Sequence, residues 1–468
     1  MNKTLLLGPA PTHVERLELF DEPIKRDGIR ALGGEGKVYA PTDRQGCVAK
    51  IYANPGDQAR RRKVEAMLHS KPQHADAEQN GVVIPLLAWP THIVLEDDGR
   101  FAGFLMPRVP SDFVSLASWQ WRNQRPPKLD PGVPLDASDE SLPNRVTGCR
   151  NLARLVQSVN EQGYWVIDLS AENIFVQRKH MRVCLIDCDS FSIAVDGKVI
   201  HAALVAREEV RAPEFQACNQ QRLPFTGDSQ DRFALAVLIF RWLNRNMHPY
   251  QGRLQVDTES ESLASNIAAR RYAYGLVPHP EILPSIGSEH ESFPLELRRL
   301  FDRAFAADSD PLARPSAKEW VKTLWRFKTE KRFSSCPVFP TDVSHLHFTG
   351  LPCPRCQRAE LRAAQGDFGP SSGLQDLSHS MPKSTPSSAS AGLTTGAMPL
   401  EHSSPWVASG PPRPTPAAAT PTAKWSTRKK LLVAAVLIAL GFTGYVRHTT
   451  GLWLWEGGIQ AFLEEPPA

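Results

Sequence analysis

No stripe of Lys and Arg interleaved with aromatics runs through these 468 residues, and 54 basic against 50 acidic side chains leave a net charge of only +4. Nucleic-acid binders carry such stripes as an electrostatic footprint, so charge names no partner of that kind. Cysteine is sparse, eight in all, and those before residue 330 keep no spacing framework. That excludes a disulfide-stapled secreted domain and fits a reducing compartment. The first eleven residues hold one Lys and a brief Leu run, which is not a secretory leader. What is present is chain enough for two or three units, and a few short segments in which the chemistry is concentrated.

The densest of these is Val166-Ile167-Asp168-Leu169-Ser170-Ala171-Glu172-Asn173-Ile174-Phe175-Val176, where a carboxylate and a carboxamide stand five residues apart ahead of an apolar, β-rich run. A second such run, Val183-Cys184-Leu185-Ile186-Asp187-Cys188-Asp189, ends in acid. Phosphoryl transfer needs a carboxylate to orient the attacking hydroxyl, and an amide oxygen plus a second carboxylate to hold Mg²⁺. Upstream, Gly33, Gly34 and Gly36 with Val38 lie in Ala31-Leu32-Gly33-Gly34-Glu35-Gly36-Lys37-Val38, and glycines let backbone N–H groups approach phosphate oxygens. Val48-Ala49-Lys50-Ile51 follows, then Gln58 to Leu68, which reads as a helix of good formers carrying Glu65. Downstream come Ala212-Pro213-Glu214, then Asp231-Arg232-Phe233-Ala234-Leu235-Ala236, and Arg314 within Asp308 to Ser316.

In this order the segments resemble the protein kinase superfamily, most closely the bacterial Ser/Thr kinases of eukaryotic type. The resemblance implies an α+β, bilobal fold with a β-rich small lobe and a helical large lobe over residues 20–328. It implies that Lys50 contacts the α- and β-phosphates of ATP and pairs with Glu65, that Gly33, Gly34, Gly36 and Val38 cover the nucleotide, and that Met106, in Phe104 to Val109, lies on the adenine hinge. Asp168 becomes the catalytic base, Asn173 and Asp187 the Mg²⁺ ligands, and Arg314 the partner of Glu214. Protein substrates phosphorylated on Ser or Thr follow from the resemblance; Ala212-Pro213-Glu214 with Arg314 argues against a small-molecule phosphotransferase.

The departures bear on activity. The usual H-R-D reads Val166-Ile167-Asp168, so the arginine that grips a phosphorylated activation loop is missing. Ser170 stands where Ser/Thr kinases often place a lysine for the γ-phosphate. The usual D-F-G reads Asp187-Cys188-Asp189, which leaves Asp189 as a second metal ligand, a replacement for Asp187, or a cap on the next turn. Lys50, Asp168, Asn173 and Asp187 all survive, so an active kinase is expected; the alternative is a silent scaffold that binds nucleotide or a partner.

Beyond the kinase-like region, residues 329–365 gather Cys336, His345, His347, Cys353 and Cys356, with Cys353-Pro354-Arg355-Cys356 as a C-x-x-C knuckle. Four of these suit tetrahedral Zn²⁺, and Cys336, His347, Cys353 and Cys356 form the expected structural set. Residues 366–424 are dominated by Ser, Pro, Ala, Gly and Thr and read as a disordered linker. Leu431 to Val446 is apolar and uncharged. Flanked by Arg428, Lys429 and Lys430 on one side and Trp453 and Trp455 on the other, it predicts one membrane-spanning helix over 428–447. The basic flank puts the kinase region in the cytoplasm at the inner membrane, with a short extracytoplasmic tail at 448–468. A linker of this length reaches ~40 Å, so membrane-proximal or colocalised substrates are expected.

Overall fold

Alternating apolar residues near the start of the chain build a sheet. In the computed structural model, which describes residues 3–8, 15–20, 22–26, 29–30, 32–33, 36–79, 81–118, 141–195, 198–203, 206–217, 227–255 and 262–364, seven strands pair antiparallel. These are β1 (Lys3–Gly8), β2 (Glu15–Leu19), β3 (Leu32–Gly33), β4 (Gly36–Tyr39), β5 (Cys47–Tyr52), β6 (His92–Leu95) and β7 (Phe101–Pro107), in the order β2-β1-β6-β7-β5-β4-β3. Helix α1 (Gln58–His69) starts where the Asp57 carboxylate accepts the N–H groups of Ala59 and Arg60 at 2.9 and 3.1 Å. It buries Val64 and Met67, and Val64 joins Val48, Tyr52, Phe101, Phe104 and Met106 in one core under the sheet.

The other lobe is helical. Helix α2 (Leu142–Asn160) packs on α3 (Gly227–Leu243), which is buried along almost its whole length. An all-round apolar helix belongs in the middle of a lobe, not at its surface. Gly148 lets the two meet, since a Cβ there would lie 2.5 Å from the Trp242 ring. The short helix α4 (Leu263–Ala268), then α5 (Leu295–Phe305) and α6 (Ala317–Thr329), complete the layer. Phe240 of α3 meets Phe301 of α5 edge to face at 4.9 Å. The last described helix, α7 (Pro354–Ala364), follows a two-strand ladder of Phe333–Ser334 against His347–Phe348. Phe348 belongs to the same core as α3 and α6.

Between the lobes, β8 (Phe113–Ser115), β9 (Ile174–Gln177) and β10 (Arg182–Leu185) form a small sheet. Leu185 donates to Leu86 O and accepts from Ala88 N–H, both at 2.9 Å, which ties this sheet to the chain leaving the small lobe. The fold is α+β, with sheet and helices segregated as expected for a kinase-like chain. All described residues fall in the compact unit Met1–Met381; the unit Pro382–Ala468 lies outside them, as do the linker from residue 366, the 428–447 helix and the 448–468 tail. Among the described residues no helix is long and apolar enough to cross a membrane.

Candidate functional site

The register of one hairpin assembles the centre. Ile174 of β9 pairs with Leu185 of β10, so Asn173, just before one strand, and Asp187, just after the other, emerge at the same end. Ile186 N–H bonds to Asn173 O at 2.9 Å across that opening. Asn173 then donates through Nδ2 to the carbonyl and the Oδ2 of Asp168, at 3.1 and 3.2 Å. This fixes the amide with its oxygen turned away from Asp168. From the small lobe, Lys50 in β5 places its Nζ 2.5 Å from Asp187 Oδ1 and 2.8 Å from both oxygens of Asp189. Lys50 thus meets Asp187, Asn173 meets Asp168, and the Ile186 N–H to Asn173 O bond joins the two pairs through the backbone.

Electrostatics follow from burial. Desolvation alone would depress the Lys50 pKa, but the charges of Asp189 and Asp187 and their hydrogen bonds carry it above its ordinary value. Burial opposes ionisation of Asp189 too, yet Lys50, with a 2.7 Å hydrogen bond from Tyr52 Oη, holds its carboxyl below the usual range. Asp168 is raised, chiefly by burial and also by Asp187, against the lowering charge and N–H of Arg207. The backbone is strained at two of these points. Asp187 sits at φ 61° and Ile167, a β-branched residue, at φ 60°. Ile167 is clamped there: Asp231 accepts its N–H at 2.8 Å and that of Val166 at 2.9 Å, and Gln230 donates to its carbonyl at 3.2 Å. Burial pushes the Asp231 carboxyl up to about 6, although these hydrogen bonds and that of Asn160 oppose the rise.

No family model matches the chain. Similarity is found to Protein kinase YegI of Escherichia coli O157:H7, 31% identical over 337 residues, and to Protein kinase YegI of Escherichia coli strain K12, 30% identical over 337 residues. Each match covers 69% of this chain and 47% of the relative. The chain belongs to a bacterial protein-kinase-like family. It spans about half the length of the curated relatives it matches.

Within this kinase-like chain one expected pairing is corrected. Glu65 does not meet Lys50; it bonds Arg61 Nε one turn back at 2.8 Å. Helix α1 turns Val64 and Met67 to the sheet, which leaves Glu65 on its half-exposed flank. Asp189 is a partner of Lys50 that the spacing did not name; it is buried, and both its oxygens accept from the Lys50 ammonium. Gly36 is needed by the strand ladder, because a Cβ would lie 2.5 Å from Ile51 O. Gly33 pairs with Gly36, whereas Gly34 lies outside the described residues. Val38 and Met106 share the small-lobe core with Ile186, and the N–H just beyond, on Arg108, bonds Gly46 O at 2.9 Å. Ser170 is fully buried. The cation beside Asp168 is instead Arg207, whose N–H bonds Asp168 Oδ1 at 3.0 Å while its guanidinium lies 3.7 Å from Asp168 Oδ2 and 2.6 Å from Glu172. No motif marked it, since it is far from Asp168 in sequence. Arg314, wholly buried, takes both oxygens of Glu214 at 2.6 and 2.7 Å.

A second cluster lies after α6. Cys336, His345, Cys353 and Cys356 place one ligand atom each within 4.8 Å of one another. Cys336 and Cys356 sulfurs are 3.5 Å apart, and His345 Nδ1 is 3.4 and 3.6 Å from Cys353 and Cys356. This corrects the ligand set: His345 replaces His347. The latter is buried in the strand paired with Ser334, whereas the turn Val343–His345 brings His345 to the start of α7. Burial and the neighbouring thiols push Cys356 up to about 12. Three thiols this close do not ionise together without a cation, and sulfur with imidazole suits Zn²⁺. The cluster can hold it, with Asp342 3.9 Å from His345 Nε2 as an outer partner.

Proposed function

We propose that the chain is a protein kinase that transfers the γ-phosphoryl of ATP to Ser or Thr hydroxyls of protein substrates. The observation that carries this is the convergence of Lys50, Asp187, Asn173 and Asp168 between the lobes. The donor set fits the ligands, since a lysine charge suits phosphate, and an amide and a carboxylate oxygen suit a hard divalent cation. Asn173 and Asp187 would hold Mg²⁺, which supplies neutralisation of phosphate charge. Asp168 orients the acceptor hydroxyl and takes its proton as the new bond forms; its raised pKa makes it a better base than a solvated carboxylate. Arg207 fixes Asp168 through its N–H and offers positive charge at the side where Ser170 is withdrawn. Val38 and Met106 supply the apolar surface for the base.

The naming of both relatives as protein kinases supports protein as the acceptor class, as does the Glu214–Arg314 tie that steadies the segment after Arg207. A non-turning scaffold is favoured by one observation: Lys50 already engages both Asp187 and Asp189. Incubating the full chain with Mg²⁺, γ-labelled ATP and a protein acceptor decides between them. Label on Ser or Thr that Lys50→Met removes supports the kinase; nucleotide binding without label supports the scaffold. We further propose that Leu431 to Val446 anchors the chain in the inner membrane with the catalytic region in the cytoplasm, on the strength of its uncharged apolar run and basic flank. Recovery of the chain in the soluble fraction after cell lysis would sink that placement.

A further inference from the structure

The β9–β10 hairpin has a second end. Its turn, four residues or ~13 Å from Asn173, closes one side of a cavity of about 420 Å³. Arg150 and Arg154 of α2, Arg182 of β10, His74 and His180 line it, with Asp76 as its one carboxylate. Asp76 is already taken by Lys71 at 2.5 Å. A neighbouring cavity of about 510 Å³ shares Arg150 and Arg154 and adds Trp325 and Lys328 from α6, without any acid. The two form a groove across the back of the large lobe.

Its cations are placed rather than scattered. Arg150 donates to Asn151 Oδ1 at 2.8 Å and lies 4.7 Å over the Trp325 ring, which is itself 47% exposed. Asn151 in turn donates to Met181 O at 2.7 Å, so α2 is tied to the hairpin turn. Arg154 follows one helical turn later, where like charges repel. Burial, with the Arg154 charge, pushes the Arg150 pKa below its ordinary value. Among the described lining residues, Arg150, Arg154 and Lys328 thus stand against Asp76 as the one acid, which leaves the groove with an excess of positive charge.

We propose that this groove docks an acidic segment of a partner protein. Two confluent cavities take successive side chains of a peptide, and Trp325 offers an apolar face beside the charges; a flat bilayer would not enter them. Recruitment of substrate through the groove rests on the kinase reading above, but docking is tested without turnover. Fluorescence anisotropy of the full chain with a labelled octaglutamate peptide at low salt is the measurement. Binding should weaken as salt rises, and Arg150→Gln with Arg154→Glu should lower affinity at least tenfold while MgATP binding and the melting temperature stay unchanged. The milder Arg154→Gln guards against misfolding and should weaken binding in the same direction. Equal affinity in the variants, no peptide binding, or preference for phosphatidylserine vesicles or single-stranded RNA overturns the proposal. Peptide binding that the variants lose, in a chain without phosphoryl transfer, upholds the groove and refutes the kinase reading.

Discussion

Lys50 shows how a single residue's partners decide what a substitution does. Both oxygens of Asp189 and one of Asp187 hold its ammonium, whereas Glu65 is engaged by Arg61. Asp189→Ala should therefore cost about a hundredfold in transfer rate through misplacement of Lys50, and Glu65→Ala should leave the rate within about twofold; initial-rate assays of the two variants check this. Arg207 gives a pH signature. Its charge and N–H lower the pKa of Asp168 against burial. Arg207→Ala keeps the backbone N–H but removes the charge, so part of that lowering is lost, Asp168 protonates at higher pH and the acid limb of the kcat/KM profile moves up. An unmoved limb would show that Arg207 does not act on Asp168. Lys50, Asp168, Asn173 and Asp187 were named from sequence because each sits in or beside an apolar run of the resembling order. The pairing of Asp189 with Lys50 was not, since spacing says nothing of which way the chain beyond the left-handed Asp187 turns its side chains.

Elements carry the next level. Arg314 is sealed inside the large lobe against Glu214, Ser229 O and the Phe233 ring. Removing Glu214 leaves an uncompensated buried charge, and Glu214→Ala should destabilise the chain by about 3–5 kcal/mol in denaturant titration. The Cys/His cluster pins the start of α7, and one turn on Arg358 reaches the buried Glu289 at 3.2 Å, which Arg145 at the start of α2 shares at 3.3 Å. Loading the cluster with Zn²⁺ should thus raise the melting temperature, and a chelator should reverse the rise; Zn²⁺ content lost in His345→Ala and retained in His347→Ala checks the ligand set. The sequence marked the cysteines through C-x-x-C but could not choose between histidines two residues apart. A tight turn, not strand alternation, decides that choice.

At the scale of the molecule, order along the chain was the strongest signal. A glycine-bearing hairpin, a lysine strand, a helix, the loop of Asp168 and Asn173, and the buried helix of Asp231 follow in sequence, and each lands on the expected class of element. The contacts that close the centre are long-range and invisible to periodicity: Lys50 to Asp189 spans 139 residues and Arg314 to Glu214 spans 100. The central claim, that this centre moves a phosphoryl group, is tested most directly by Asp168→Asn with transfer rate and MgATP affinity measured on the same sample. The expected result is affinity within about twofold of the parent and a rate lower by about 10²–10⁴-fold. Undiminished transfer, or a parent chain that binds no MgATP, would contradict it.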